Sequence, residues 1–353
     1  MRGDGFEALC DRLALDGPRV KSFYLTMSQG RNDRTKSITK AFGALAFAAS
    51  LLGLSAAAQA GDAASCQTVK LSDIGWTDVT AITALTGAML DTMGYKGDIK
   101  QLAVPVTFAS MKNKDIDVFL GNWMPSMEED IKAYTADGSV ETIGANLPTG
   151  AFYTLAVPDY TYAKGLHDFA DIGKFKDTLH AKFYGIEPGN DGNRHILDMI
   201  KDAKWKLDGF ELVESSEAGM LSQVAKATQN KEDIVWLGWA PHPMNANFKM
   251  KYLTGGDDLF GPNMGAAVVN STVRKGYLAE CPNVGKLVKQ LKFEVGMENE
   301  VMGQILDKSV DPKVAAVAWV KAHPDALKAW LDGVTTFDGK GPALDAVKKG
   351  LGL

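Results

Sequence analysis

Apolar runs alternate with amphipathic stretches in the chain beyond residue 60, and this alternation predicts an α/β fold. After the first predicted strand, the apolar positions that follow Thr77 repeat at helical spacing and stop at Gly94. A shorter helical stretch runs through Met111. This strand–helix order indicates a mostly parallel sheet with helices on both faces. The predicted strands lie at 69–76, 98–106 and 117–123.

A second unit with the same alternation begins near residue 150, and after Cys281 the pattern becomes almost wholly helical. The chain therefore predicts two α/β lobes, each with a mostly parallel sheet flanked by helices. The first lobe is discontinuous (61–149 and 246–353), and the second (150–245) is inserted into it. Elements of the second unit are predicted as strands at 152–158, near 182, at 209–215 and at 232–239, and as helices at 167–177, in the last part of 182–200 and at 217–228.

Residues 1–60 differ in composition from the rest of the chain. A basic flank follows Met27, an apolar stretch covers 41–54, and small residues stand at Ala58 and Ala60. This pattern is typical of a secretory signal that is cleaved after Ala60. The alternative is a membrane anchor, but the apolar stretch is short and rich in alanine for a bilayer span. Met27 is a plausible start, so residues 1–26 are interpreted as an upstream extension outside the fold.

The net charge limits the classes of partner. Beyond residue 60 the chain carries 30 Lys and Arg against 38 Asp and Glu, a formal charge of −8. An acidic balance of this size argues against nucleic acid or an anionic membrane as partner, and it is compatible with a small cationic ligand.

Two cysteines, Cys66 and Cys281, remain beyond the predicted signal. Two thiols in an exported protein suggest one disulfide. Such a bond would close a long loop and contribute about 4–5 kcal/mol to stability in the chain-entropy model. The alternative is that Cys66 is a lipidated first residue, although the residues before it lack the leucine usual in that signal.

Two related segments place a tryptophan at the end of an apolar run. They are VFLGNWMPSM (118–127) and VWLGWAPHPM (235–244). Trp76 ends the first predicted strand in the same way, and Tyr153 lies at the start of the second unit. Ligands in open parallel sheets bind beyond the carboxyl ends of the strands. Aromatic faces that converge there suit a quaternary ammonium, because each face attracts a cation by about 0.5–2 kcal/mol.

Two polar residues accompany these aromatic positions. Asp78 follows Trp76 by two residues, where a carboxylate either balances a cationic ligand or simply favours the first turn of a helix. Asn190 stands in the loop EPGNDGNR before a predicted helix. It either donates to a ligand hydroxyl or shapes the loop. The four remaining tryptophans are interpreted as packing residues: Trp205, Trp236, Trp319 and Trp330.

Long segments of the chain resemble the substrate-binding proteins of ABC importers for choline and betaines. The resemblance covers nearly all of the chain beyond residue 60, and the segments that carry it are SDIGWTDVTA, NKDIDVFLGNWMPSME, GIEPGNDGNR, VESSEAGML, LGWAPHPMNANF and GGDDLFGPN. It implies a two-lobed periplasmic-binding-protein fold, similar to type II, with a ligand cleft between the lobes. It also implies a monomer in the periplasm that delivers its ligand to a membrane permease and its ATPase.

The resemblance further implies the residues of the site. An aromatic box is expected from Trp76, Trp123, Tyr153 and Trp239, with Phe152 as a possible substitute for Tyr153. Asp78 is expected near the cation and Asn190 near the hydroxyl end of the ligand. The disulfide of the family falls on Cys66 and Cys281.

Choline is the expected ligand, because Asp78 would repel the carboxylate of a betaine and the motifs place no cationic side chain beside the box except Arg194. The alternatives are a glycine betaine or proline betaine binding protein of the same transporter class, and a ligand-sensing protein without a transport role. An enzyme is not expected, since the five histidines are scattered and no nucleophile, phosphate or dinucleotide motif is present. Neither a metal nor a cofactor is expected. A structural or adhesion protein is a further alternative, but such a protein would not need the paired lobes and the aromatic box.

Overall fold

The computed structural model describes residues 61–353, and the predicted signal and upstream extension lie outside the described residues. Within this range the strands form one mixed sheet. The strands are β1 (Thr68–Asp73), β2 (Lys96–Gln101), β3 (Val118–Met124), β4 (Val140–Pro158), β5 (Lys182–Tyr184), β6 (Glu211–Val213), β7 (Trp236–Ala240), β8 (Met250–Tyr252) and β9 (Ala266–Arg274).

The sheet has the strand order β2-β1-β3-β9-β4-β7-β5-β6, and β8 pairs with β4. Pairing is parallel at both ends, between β1 and its neighbours and between β5 and its neighbours. The pairs that involve β4 and β9 are antiparallel. The expectation of two separate, mostly parallel sheets is corrected in this respect, because β4 and β9 pair along their length and join the two parallel regions.

We call the paired strands β4 and β9, which connect the two parallel regions of the sheet, the junction. Helices lie on both sides of it. In the described range they are α1 (Thr77–Thr92), α2 (Val104–Lys112), α3 (Glu128–Ala136), α4 (Asp159–Ala163), α5 (Asp191–Lys201), α6 (Glu217–Asn230), α7 (Met244–Asn247), α8 (Asp257–Phe260), α9 (Pro262–Gly265), α10 (Tyr277–Glu280), α11 (Pro282–Gln290), α12 (Val295–Lys308), α13 (Pro312–Ala322), α14 (Ala326–Trp330) and α15 (Ala343–Leu351). Across residues 61–353, no helix combines the length and hydrophobicity that crossing a membrane requires.

Several predicted elements differ from the structure: β1 ends at Asp73 and not at Trp76, β4 begins at Val140 and not at Phe152, and β7 begins at Trp236 and not at Glu232. The strand predicted at 98–106 ends at Gln101, and α2 begins at Val104 with Pro105 in its first turn. Proline suits this position because the amide there has no partner within the helix. The helix predicted at 167–177 is a 3₁₀ helix over Phe169–Phe175, and Asp168 caps it.

Two hydrophobic cores flank the junction. One packs α1 against the C-terminal helices, with Leu85 and Val320 among its buried residues. The other lies under β4 and β7 and extends to the ring of Trp123. The lobe boundaries at 149/150 and 245/246 stay a prediction: β4 runs through the first, and β8 lies beyond the second although it pairs with β4.

The predicted disulfide is present in the structure. Cys66 and Cys281 are bonded and buried, and their Cα atoms lie 5.7 Å apart. The bond joins the start of the described chain to the residue before α11 across 215 positions in sequence. Because the Cys66 sulfur takes part in this bond, the alternative of a lipidated cysteine is not supported.

Candidate functional site

The four aromatic residues of the predicted box come from both sides of the junction. Trp76 lies between β1 and α1, and Trp123 lies in β3. Tyr153 in β4 is paired directly with Trp239 in β7. All four side chains are buried. The fold therefore brings together residues that are separated by more than 160 positions in the sequence.

The rings of these residues lie in mutual contact range. The centroid of Tyr153 is 6.3 Å from that of Trp76, 6.3 Å from that of Trp123 and 6.1 Å from that of Trp239. The centroids of Trp76 and Trp239 are 6.4 Å apart. The planes are tilted or nearly perpendicular to one another, so the rings do not stack into a solid layer.

The rings line a narrow hollow that, as they stand in this structure, is too tight to admit a water molecule. Ile186 completes the lining, which consists of aromatic and aliphatic side chains. A site of this composition can hold the methyl groups of a ligand by burial and a delocalised positive charge by attraction to the ring faces.

Asp78 lies directly behind one of these rings. The indole Nε1 of Trp123 donates to Asp78 Oδ2 at 3.1 Å. The other carboxylate oxygen, Oδ1, is buried and has no hydrogen-bond partner in the described part of the chain. Burial and the nearby charge of Glu217 raise the pKa of Asp78 to about 7, while the bond from Trp123 opposes that rise. This carboxylate is therefore poised to gain from a positive charge in the hollow.

A second carboxylate, Glu187, lies behind Trp76. The indole Nε1 of Trp76 donates to both Oε1 and Oε2 of Glu187, each at 3.0 Å. Burial raises the pKa of Glu187 to about 7, against the lowering effect of the bond from Trp76. Glu187 belongs to the loop that follows β5, so this contact crosses from one side of the junction to the other.

A third carboxylate holds the start of α1. Glu217 accepts from the backbone amide of Thr77 at 2.8 Å and from its hydroxyl at 2.5 Å. His242 Nε2 lies 3.1 Å from the same carboxylate. The hydroxyl of Thr77 therefore binds Glu217 and does not cap α1, whose preceding residue, Trp76, has no capping hydrogen bond.

Asp191 forms a further contact across the junction, in which it accepts from the hydroxyl of Ser126. Burial raises the pKa of Asp191 to about 6. Beside it, Arg194 donates to Asp130 at 2.8 Å, so the guanidinium that the sequence motifs place beside the box is already paired with a carboxylate. His195 Nε2 lies 3.2 Å from the Ser126 hydroxyl.

Asn190 is placed differently from the other predicted site residues. Its Oδ1 accepts from the backbone amide of Asn193 at 2.8 Å and so caps α5, and its Nδ2 donates to the backbone oxygen of Glu187. Asn190 is buried but does not line the hollow. The structure shows the loop-shaping role that the sequence left open, and a contact with a ligand hydroxyl stays a prediction.

Phe152 and Tyr153 point to opposite faces of β4. The ring of Phe152 packs edge-on against Tyr252 at a centroid distance of 4.6 Å, whereas Tyr153 lines the hollow. Alternation of side chains along a strand produces this separation. Tyr153 is therefore the member of the pair that meets the tryptophans.

Sequence reasoning missed two carboxylates of the site: Glu187, which holds the Trp76 ring, and Glu217, which holds the neighbouring Thr77. Glu187 directly follows Ile186 in GIEPGN, and a carboxylate just past an apolar strand end was the available signal. Its partner lies 111 positions away, which only the fold reveals. Across residues 61–353, no group of three or more His, Cys, Asp or Glu side chains is arranged to hold a metal ion.

Comparison with known proteins places the chain in a family. Residues 67–322 match the profile described as the substrate binding domain of ABC-type glycine betaine transport system. The chain belongs to this family. Its members bind substrate for a transporter outside the cytoplasm and are not enzymes in general.

Two solved structures are similar to this substrate-binding domain over most of its length. One is an ABC-transporter choline binding protein in complex with choline, with 57% identity and a TM-score of 0.80 over 81% of this chain and 99% of that one. The other is described as an ABC-transporter choline binding protein in an unliganded semi-closed conformation, with 58% identity and a TM-score of 0.75 over 82% and 100%. This substrate-binding domain thus has the two-lobed α/β fold of periplasmic binding proteins.

A further relative matches about half of the chain. The glycine betaine/carnitine transport binding protein GbuC of Listeria monocytogenes is 34% identical over 169 residues, which are 48% of this chain and 54% of that protein.

Proposed function

We propose that this substrate-binding domain binds choline in an aromatic box made of Trp76, Trp123, Tyr153 and Trp239. The observation that carries the proposal is the convergence of the four rings, at centroid distances of 6.1–6.4 Å, around one hollow. Four ring faces that each contribute about 0.5–2 kcal/mol supply about 2–8 kcal/mol. With burial of the methyl groups, binding near −8 kcal/mol, or micromolar affinity, is within reach.

The arrangement of charge favours choline over glycine betaine or proline betaine. Carboxylates stand behind two of the rings, at Asp78 and Glu187, and they attract the trimethylammonium head that all three ligands share or resemble. The carboxylate of a betaine would meet the same negative charges, and Arg194 is paired with Asp130. Choline carries a hydroxyl instead, for which the unpaired Oδ1 of Asp78 is a suitable acceptor.

Asn190 is the second proposed partner of the ligand hydroxyl. Its side-chain amide now bonds the backbone oxygen of Glu187, at the edge of the loop that faces the box. A direct contact requires this amide to turn from that oxygen to the ligand. The 57% identity to a protein solved in complex with choline supports the same ligand class.

Closure is the proposed mechanism of capture. The bonds from Trp76 to Glu187, from Thr77 to Glu217 and from Ser126 to Asp191 all cross the junction, so they form together when the two sides approach. A cation that contacts rings from both sides favours that closed state. We propose that the closed protein, exported as a monomer to the periplasm, then delivers choline to an inner-membrane permease that is driven by an ATPase. A ligand-sensing role is the alternative, because it would use the same closed state.

Titration calorimetry with choline and with glycine betaine tests the proposed ligand. We expect choline to bind with micromolar or tighter affinity and glycine betaine to bind more weakly. Tighter binding of glycine betaine would identify this chain as a betaine-binding protein instead of a choline-binding one. Absence of binding by both ligands would overturn the proposed function.

A further inference from the structure

The indole of Trp76 is the one ring of the box whose N–H is held from the opposite side of the junction. Trp76 belongs to the segment between β1 and α1, whereas its acceptor Glu187 belongs to the loop after β5. By contrast, Trp123 donates to Asp78 on its own side, and neither the Tyr153 hydroxyl nor the Trp239 Nε1 has a hydrogen-bond partner in the described residues.

Glu187 is itself fixed by its neighbours. Its backbone oxygen accepts from the side-chain amides of Asn190 and Asn193, the latter at 3.3 Å. Asn193 also accepts from the amide of Ile186 and donates to its carbonyl, each at 3.1 Å. The loop is thereby tied to the N-terminus of α5, and the carboxylate extends from a rigid base. Because Ile186 lines the hollow, Glu187 starts directly beside the site.

Two effects follow from a carboxylate that accepts from an indole N–H with both oxygens. The bond is charge-assisted, and so it is stronger than a bond to a neutral acceptor. It fixes the plane of the ring, and the negative charge at its edge adds electron density to the face that a cation meets. Glu187 does not line the hollow, so both effects reach a ligand through Trp76.

We propose that Glu187 is a positioning residue for ligand binding, which holds the Trp76 ring across the junction and so makes a complete aromatic box conditional on closure. This inference rests on the proposed function of the box as a quaternary ammonium site. Glu187 contributes to the affinity for the ligand through Trp76, without contacting the ligand itself.

The substitution Glu187→Gln tests the proposal, because it keeps the size of the side chain and one acceptor oxygen but removes the charge and the second acceptor. We expect the affinity for choline to fall at least about fivefold. The matched control is Glu211→Gln in β6, an exposed glutamate that pairs with Lys182 at 3.3 Å. It changes the net charge equally, and the affinity should stay within about twofold. Thermal unfolding of each variant verifies that it is folded.

A double-substitution cycle with Trp76→Phe separates positioning from direct contact. Phenylalanine keeps an aromatic face but has no N–H for Glu187 to accept. In the Trp76→Phe background, Glu187→Gln should therefore change the choline affinity by less than about twofold. An equal loss in both backgrounds would show that Glu187 acts on the ligand directly, and no loss in the native background would show that it does not act at all. Either result overturns the proposal.

A spectroscopic measurement keeps this test distinct from the proposed function. In protein labelled with ¹⁵N-tryptophan, the Nε1–H resonance of Trp76 is the one that disappears in Trp76→Phe. At saturating choline, where the closed state is populated, Glu187→Gln should shift this resonance upfield and speed its exchange with solvent, whereas an unchanged resonance would refute the bond. Failure of the unaltered protein to bind choline would overturn the proposed function, and the ligand-linked role of Glu187 would fail with it.

Discussion

The indole N–H of Trp123 donates to the carboxylate of Asp78 at 3.1 Å, and both side chains are buried. Asp78 therefore contacts the N–H edge of the Trp123 ring. Its negative charge, when the carboxylate is ionised, attracts a cation held by that ring. Its second oxygen is left without a partner in the described structure. A buried oxygen without a partner destabilises the empty site, and it can accept a hydrogen bond from a bound cation that carries a hydroxyl.

Removal of a box ring should weaken choline binding. We expect Trp123→Ala and Trp239→Ala each to lower the affinity at least tenfold, because each loses a cation–π contact and buried apolar area equivalent to about 1.4 kcal/mol or more. Calorimetric titration measures the effect. Trp319→Ala is the control: its ring stacks on His323 and Trp330 in the C-terminal helices, so it should lower stability without lowering affinity. Unchanged affinity in either box variant would remove that residue from the site.

The two adjacent aromatics of β4 should respond differently to substitution. Tyr153→Ala should reduce choline affinity at least tenfold, since this ring faces all three tryptophans of the box. Tyr153→Phe should stay within about threefold, because the hydroxyl has no partner in the described residues. Phe152→Ala should leave the affinity unchanged and lower the melting temperature, since it removes the contact with Tyr252. A larger loss in Phe152→Ala than in Tyr153→Ala would reverse this assignment.

Choline binding should be linked to proton release. Burial raises the pKa of Asp78 and of Glu187 to about 7, so the empty folded protein keeps protons that the unfolded chain releases near pH 4. Their contribution to the free energy of unfolding is complete below about pH 4 and is lost as pH rises through about 7. A bound cation favours the ionised carboxylates. We therefore expect choline affinity to increase between about pH 5.5 and pH 8.

Calorimetry near pH 6.5 in two buffers of different ionisation enthalpy counts the protons that choline displaces. The count should be above zero for the unaltered protein and smaller for Asp78→Asn, which has no proton to release. An affinity that is flat across this range, with no protons displaced, would contradict the linkage.

Reduction of the disulfide should destabilise the protein without abolishing binding. The bond between Cys66 and Cys281 closes a loop of 215 positions, which is worth about 5 kcal/mol in the chain-entropy model. Both cysteines lie in the core of α1 and the C-terminal helices, apart from the core that contains the box. The reduced protein should unfold at a lower denaturant concentration and still bind choline within about threefold when folded. An unchanged unfolding midpoint would contradict this expectation.

Local signals in the sequence predicted much of the fold. The strand ends at Trp123 and Trp239 were recognisable because an apolar run, a glycine and a tryptophan precede a proline in both. The periodicity after Thr77 predicted α1, but Thr77, which was expected to cap this helix, is its first residue, and Trp76 stands at the N-cap. The extent of β4 was not predictable in this way. Its first half, VETIGANLPTG, is polar and rich in glycine, and it forms a strand because β9 pairs with it through several register shifts.

The four aromatic residues and Asp78 were proposed from the sequence, whereas Glu187 and Glu217 were not. A tryptophan at a strand end is by itself more often a packing residue, and Trp76 was selected because Trp123 and Trp239 stand at equivalent strand ends. Glu187 and Glu217 lie in polar loop segments where glutamate is common. Their significance arises from contacts over 111 and 140 positions, which depend on how β5 and α6 are placed relative to α1.

A crystal structure of the protein with choline would show whether the four rings hold the ligand. We expect the choline nitrogen to lie between them, within about 6 Å of the ring centroids of Trp76, Trp123, Tyr153 and Trp239. Choline bound elsewhere, with the four rings packed against one another as they would be in an ordinary core, would contradict it.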